Sequence, residues 1–530
     1  MKSNIAAHWS AAHNSRTTSL NEARENARLT KPWVLPAEGH NKDSKLPQNY
    51  QSDGAMGMSN IEGRILVAMF PPQPWFTTAL APEIQTNPEV DPTMKQDMAD
   101  RLFWRDVLLL SLLQSANLSD ENNRRAYGFN SRVRTAISHL LITGDTLVQV
   151  VDDFRLKVHR RDRYVTERDE SFDVISHTVK ESIDAMTLTE KQLKTAKLKP
   201  EVLKKKSARD RRIDQFTHIE WQPWSKVWVQ TIEVNGWTVA ESDERITPMV
   251  SVPFEEVTGE HYGRAFIDAL RGDLLSLDVL SMKVLDFADA ASKFLWATDY
   301  TSAIKDTDLA KPSGSRIRAK VVGGQVQDFA AVQLNRLADF SIVESAIARV
   351  SDRLSKNMLT TANLSQSGDA MRSSVSWQQV AAEVEGILGG FYGPIAERLQ
   401  GGIIARVAFL AEKQRLTPPL TPKATRLELL TGVSSLSKMS KGRETLSFAA
   451  AVAQLGETAM SKIDTGVLVD VLARSSNIDE PGLVKSRAML EQERAEYEAQ
   501  AARGAAVNKA IDVAGNVAQA AATQNNSLAQ

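Results

Sequence analysis

The stretch that decides the fold is GEHYGRAFIDALRGDLLSLDVL, Gly259 to Leu280. Two glycines bracket a histidine and a tyrosine, and the chain then turns apolar at helical spacing while carrying Asp268, Asp273 and Asp278. Three readings compete: a phosphate-gripping loop, an acid–base site, or the root of a structural helix. The glycines do not fit GxxxxGK[ST], and the chain has neither that motif nor a GxGxxG after a strand, so nucleotide chemistry is disfavoured. A step of five residues turns a helix by about 500°, so the three carboxylates drift around it rather than converge as an acid–base pair must. They read as a solvated acidic face or, alternatively, as acids lining a channel where they would repel passing phosphates. Leu270, Leu274, Leu277, Val284 and Ala288 mark one apolar stripe, which predicts a helix from about Arg264 to about Ala291, roughly 40 Å long.

Upstream, GAMGMSNIEGRILVAMFPPQPWFTTAL (54–80) places Ile61, Ile65, Leu66 and Met69 on a helix that Pro71 and Pro72 end after Phe70. MADRLFWRDVLLLSLLQSANL (98–118) is apolar on more than one side, which implies a helix buried between neighbours. NSRVRTAISHLLITGDTLVQVVDD (130–153) begins at a cap, Asn130 or Ser131, turns at Gly144–Asp145 and continues as a strand. Residues 154–250 alternate like strands, with Asn235-Gly236 as a tight turn in a strand–turn–strand unit. The tryptophans at 221, 224, 228 and 237 belong to this sheet and read as packing. The basic run 191–212, broken at Pro200, reads as a solvated projection, with phosphate contact as the alternative. Residues 1–50 are polar and punctuated by prolines, with a short helix ending before Pro32.

Downstream, residues 294–334 read as short strands and turns, and a second long helix starts near Asp339. A polar segment, TTANLSQSGDAMRSS (360–374), precedes a third helix from Ser374 or Ser376 in which Gly389, Gly390, Pro394, Gly401 and Gly402 predict kinks. TPPLTP (417–422) marks a boundary, followed by a smaller helical domain to about 490 and an Ala/Gln/Asn-rich tail.

Bulk composition narrows the function. The chain has 530 residues, 42% of them hydrophobic, a formal charge of −1 and no cysteine. Tight sequence-specific DNA binding wants a basic protein and is disfavoured, although passage of DNA past the surface is not. Without cysteine there are no disulfides and no thiolate chemistry. HExxH and GxSxG are absent, and the eight histidines are scattered, so each reads as structural or solvated. No metal, cofactor or catalytic activity is expected. No run reaches the roughly 18 apolar residues that cross a bilayer, so no membrane partner is expected.

The informative feature is an order of elements: helix, small β-rich excursion, helix, polar loop, long helix. Here the chain resembles the portal proteins, or head-to-tail connectors, of short-tailed bacteriophages. The resemblance rests on GAMGMSNIEGRILVAMFPPQPW, GEHYGRAFIDALRGDLLSLDVL, VQLNRLADFSIVESAIARVSDRL and VAAEVEGILGGFYGPIAERLQ, in that order. It implies an α+β, predominantly helical portal fold, assembled as a homo-dodecameric ring at one capsid vertex. Double-stranded DNA would pass through the ring during packaging and ejection. Major capsid and scaffolding proteins, a terminase packaging motor and tail adaptor proteins are the implied partners, and the virion, after assembly in the host cytoplasm, is the implied location. By the same resemblance residues 1–49 are an N-terminal arm, 50–260 a wing, 261–291 a first stem helix, 292–339 a clip and 340–358 a second stem helix. Residues 359–374 are a tunnel loop, 375–416 a long kinked wing helix, 417–490 a crown and 491–530 a C-terminal helix and tail. Within that frame Gly259, Tyr262, Gly263 and Arg264 form a wing–stem hinge: the glycines allow a tight turn, Tyr262 packs at the corner and Arg264 bridges to an acid. Asn363, Ser365, Gln366, Ser367 and Gly368 are small or polar groups able to touch backbone without reading sequence. Arg372 and Lys356 are the nearest cations for phosphate, with salt bridging as the competing role. A scaffold or adaptor that does not close into a ring is the alternative.

Overall fold

The computed structural model describes residues 2–358, 390–429 and 447–454, apart from short interior stretches, the longest being 117–127. The chain divides into two compact units, Met1–Val433 and Ser434–Gln530. Of the second, a helical stretch at 447–452 is described.

The first unit is built around helices whose apolar faces meet. Helices α1 (Ile5–Ser15), α2 (Thr17–Leu29) and α3 (Asp53–Met69) are followed by strand β1 (Phe76–Leu80), a short α4 (Pro82–Gln85), α5 (Pro92–Ala116) and α6 (Phe129–Thr143). Helix α3 ends at Phe70, where the prolines stop it, as the sequence predicts. Helix α6 starts earlier than expected, capped by Gly128 rather than Asn130 or Ser131, and ends at Gly144, whose φ of +80° closes it in the left-handed conformation. Ile137, Leu140 and Leu141 of α6 meet Met58, Ile61 and Ile65 of α3 and Ile403 and Val407 of a later helix in one core. Burying each such side chain is worth about 1.5–3 kcal/mol. Helix α5 departs from its expected burial on several sides: Leu109 and Leu113 are enclosed, but Trp104 is half exposed.

Residues 145–253 supply two antiparallel sheets. One has the order β3-β2-β9, from Leu156–His159, Asp145–Val150 and Met249–Pro253. The other runs β4-β5-β6-β7-β8, from Tyr164–Arg168, Val174–Asp184, Arg212–Gln222, Val227–Val234 and Trp237–Glu244. The expected strand–turn–strand over 216–244 is three strands. Asn235 and Gly236, both at positive φ, make one turn, and a second reversal at 223–226 sets Trp221 against Trp228 with ring centroids 5.4 Å apart. Trp224, at that reversal, is 96% exposed and does not pack in the sheet as expected. The basic segment is not a bare projection. It folds as α7 (Glu190–Ala196) and α8 (Pro200–Leu203), with a capping box between Thr189 and Gln192 and a small core of Leu188, Ala196 and Val234 at the sheet's end.

The predicted helix from Arg264 is interrupted. A 3₁₀ turn at Phe266–Ala269 comes first, and α9 is Arg271–Ser292. Beyond it come β10 (Leu295–Thr298), β11 (Val321–Val322), β12 (Gln325–Val326) and β13 (Phe329–Val332), then α10 (Leu337–Asn357), α11 (Tyr392–Lys413) and β14 (Thr425–Leu429). Helix α10 begins two residues before the expected Asp339, and α11 continues through Gly401 and Gly402. Gly402 serves close packing instead, since a Cβ there would sit 2.7 Å from Val250 Cγ1 of β9. The Thr417–Pro422 run is not the limit of the compact unit, because β14 beyond it pairs antiparallel with β1, Phe76 opposite Leu429. The N-terminal residues also form more structure than their polarity suggests: α1 sets Trp9 edge-on to Phe216 of β6.

Three histidines are buried in this unit. Burial pushes His139 and His159 down to about 4 and His177 to about 3. In the unfolded chain each titrates near the ordinary value of about 6.5. Between these values the unfolded state binds more protons, so stability is complete above about pH 6.5 and declines as pH falls towards 4. The expected loss is about 1.4 kcal/mol per pH unit for each histidine. Urea unfolding at pH 7 and pH 5 measures it. His177→Gln should flatten the slope, and an unchanged slope would remove His177 from the account.

Candidate functional site

The site is the corner where the sheets hand over to α9. Gly259 holds φ +81°, a backbone state that favours glycine, with open space around it. Gly263 is required for a different reason: it lies against the backbone of Gly144. A Cβ on Gly144 would fall 2.3 Å from the Gly263 carbonyl oxygen, and one on Gly263 would fall 2.7 Å from the Gly144 oxygen. The Phe254 N–H donates to the Gly144 carbonyl and the Arg264 N–H to the Glu255 carbonyl, at 3.0 and 2.9 Å, which locks the crossing.

Tyr262 is buried beside this crossing. Its hydroxyl accepts from the Thr166 N–H at 3.0 Å and from Arg16 Nη1 at 3.1 Å, while the Arg161 guanidinium lies 3.6 Å above its ring. Arg264 bridges two acids, reaching Glu22 at 3.0 Å and Glu260 at 2.7 Å. Beneath the corner lies a buried ion pair, Arg168–Asp145 at 2.9 Å. Ser251 and Tyr164 complete the hydrogen bonding of Asp145, and Arg168 also donates to the His261 carbonyl. Strands β2, β4 and β9 and the corner loop are thereby tied by one network.

The three aspartates are neither a solvated face nor a bare repulsive lining. Asp268 accepts from the Ala265 N–H at 2.7 Å, capping the 3₁₀ turn, from Asn26 Nδ2 at 2.9 Å, and from Arg271. Asn26, fully buried on α2, also donates to the Ile142 carbonyl at 3.2 Å and accepts from Arg271 Nε at 2.9 Å. Asp278 accepts the Tyr50 N–H at 2.7 Å and faces Arg28 at 3.4 Å. Asp273 takes the Arg353 guanidinium of α10 with both oxygens, one of them 2.6 Å from Nε. Asp268 therefore ties the 3₁₀ turn before α9 to α2, Asp278 ties α9 to α2 and Tyr50, and Asp273 ties it to α10. The sequence showed their five-residue spacing but not their partners, which lie far away in the chain at Asn26, Arg28 and Arg353.

Helices α9 and α10 pack side by side, joined at their far ends by the β10–β13 pair, Leu295 opposite Val332. Helix α3 grips the other end of α10. Asn60 Nδ2 donates to the Met358 carbonyl at 3.3 Å, and a Cβ on Gly57 would collide with Met358 Sδ. Lys356, in the last turn of α10, pairs with Asp352 at 2.8 Å, both well exposed. Asn363, Ser365, Gln366, Ser367, Gly368 and Arg372 lie outside the described residues. Among the described residues no cluster of His, Asp or Glu suits a metal ion, and no helix is long and apolar enough to cross a membrane.

Comparison with known proteins places this architecture. Residues 2–484 match the family described as bacteriophage head to tail connecting protein. The portal protein of Escherichia phage T7 is 23% identical over 499 residues, covering 92% of this chain and 89% of that protein. The portal protein of Enterobacteria phage SP6 is 22% identical over 96% of this chain and 95% of its own length, and that of Enterobacteria phage T3 22% identical over 80% and 77%. With the match running through the sheets, the corner and the helix pair alike, the chain belongs to the bacteriophage head-to-tail connector family.

Proposed function

We propose that this chain is a portal subunit: copies of it close into a ring at one vertex of the head, and double-stranded DNA enters and leaves through the bore. The observation that carries this reading is the match of nearly the whole chain to portal proteins. Twelve copies, contacts with capsid and scaffolding proteins, and docking of the packaging motor and then the tail adaptors complete the proposal. In it, α9 and α10 are the stem, the residues between them the clip, 359–374 the tunnel loop and the Gly259–Arg264 corner the wing–stem junction. The regions on either side, 50–260 and 375–416, make the wing, and 417–490 the crown.

The physics suits a conduit. A closed ring repeats each weak contact in every subunit, so no single one need be strong. A chain of net charge −1 does not neutralise a duplex, and neutralisation would hold the DNA still. Internal pairing of Asp268, Asp273 and Asp278 leaves the stem helices stiffened rather than strongly charged. In this proposal Lys356, which pairs with Asp352, and Arg372 make brief phosphate contact, Asn363, Ser365, Gln366 and Ser367 touch backbone, and Gly368 allows the loop to change shape. A scaffold or adaptor that stays a single particle is disfavoured by family membership.

Negative-stain imaging of the purified protein should show rings with a central hole, and single compact particles under all assembly conditions would overturn the reading. Gly368→Pro and Arg372→Ala should each impair retention of packaged DNA. If both leave packaging and retention intact, the tunnel-loop assignment fails. The junction predicts an order of stability losses in chemical denaturation. Gly263→Ala forces overpacking at about 1–3 kcal/mol, and Asn26→Ala strands buried partners at about 1–3 kcal/mol. Asp273→Ala removes a half-exposed pair worth less than about 1 kcal/mol. The reverse order would show that the corner is not the tightly packed junction.

A further inference from the structure

Three buried arginines among the described residues meet carboxylates: Arg168 faces Asp145, Arg406 faces Glu244, and Arg105 faces Glu412 at 3.2 Å. The corner beside Tyr262 breaks the pattern. Arg161 is completely buried and Arg16 is 5% exposed. Among the described residues neither contacts a carboxylate. Arg161 Nη2 donates to Ser19 Oγ at 3.0 Å, but its Nε and Nη1 have no partner. Arg16 gives Nη1 to the Tyr262 hydroxyl and lies 3.1 Å from His13 Nδ1 through Nη2, and its Nε has no partner.

The nearby acids are engaged elsewhere. Asp162 is held by Arg160 at 2.6 Å, Glu22 by Arg264, and Asp145 by Arg168. Tyr262 offers both guanidiniums its ring, Arg161 at 3.6 Å and Arg16 at 5.3 Å. A ring face attracts a cation but does not satisfy its N–H groups. Two like charges thus share one buried corner without a countercharge among the described residues, an arrangement whose desolvation penalty ordinarily demands one. Burial, with Arg161 adding to it, already lowers the proton affinity of Arg16.

We propose that this corner holds a small inorganic anion of halide size, bound by the unpartnered N–H groups of Arg161 and Arg16. The class follows from the enclosure. An ion seated there must shed its water, and that costs least for a weakly hydrated monovalent anion. Bound at the meeting point of the α1–α2 joint, the short 3₁₀ turn Arg161–Arg163 between β3 and β4, and the corner loop, the anion cements the N-terminal helices to the sheet. The inference is independent of the ring reading, since it concerns one chain.

The test is thermal melting of the full chain in sodium bromide, sodium chloride and sodium gluconate at matched ionic strength. A saturable rise of a few degrees in the two halides over gluconate is expected, because a ligand that binds only the folded state stabilises it by mass action. Arg161→Met and Arg16→Met should each abolish the saturable part while keeping any general salt effect. Crystals grown in bromide should show an anomalous peak beside Arg161 Nη1. Equal melting temperatures in the three salts, or bromide found only on the outer surface, would overturn the proposal. If neither variant folds, the wild-type salt series and the bromide map still decide it.

Discussion

The constraint on which this region depends is the meeting of two backbones, at Gly144 and Gly263, with no room for a side chain on either. Helix α6 ends there, β2 begins there, and the turn into α9 crosses over it. Because the contact is between main chains, it fixes the distance between the core and the first long helix more rigidly than side-chain packing does. The networks around it are consequences of that proximity: Asp145 and Arg168 below, Tyr262 beside, Asn26 and Asp268 ahead. Asn26 reaches the Ile142 carbonyl and Asp268 together only because these are held within one side chain's span.

Charge in this region is used for positioning. Asp268, Asp273 and Asp278 lie on one short stretch, yet one caps a turn, one clamps α10 and one receives the Tyr50 backbone. Pairs of this sort add little energy when exposed, but they fix the rotation of α9 about its axis. In the proposed ring that matters more than strength, since a helix turned by one residue would present a different face to its surroundings in every copy. Fixing α10 at Met358, through Gly57 and Asn60, likewise sets where the following residues start.

Much of this was legible in the sequence, for identifiable reasons. Period and punctuation placed α3, α6 and the sheets, because Pro71, Gly144 and Asn235-Gly236 act locally. The order of helices around a β-rich excursion, with its four motif segments, pointed to the family. What escaped was non-local. The break at Leu270 arises because Asp268 and Arg271 engage Asn26, more than two hundred residues earlier. Gly402 looked like a kink and is a packing gap for Val250. Arg16 and Arg161 carry no motif at all; they matter because the fold brings both to one tyrosine. Gly263, marked as a turn residue, is needed for contact, while Gly259 alone has the left-handed torsion.

The pairing of β1 with β14 has a consequence for synthesis. Phe76 waits for Leu429, so the amino-terminal partner of that ribbon emerges from the ribosome long before its mate exists. Until then it offers an open edge, the kind of surface on which nascent chains stick to one another. The ribbon is thus closed only once residues 425–429 have been translated, and a chain truncated before residue 425 would carry that open strand permanently.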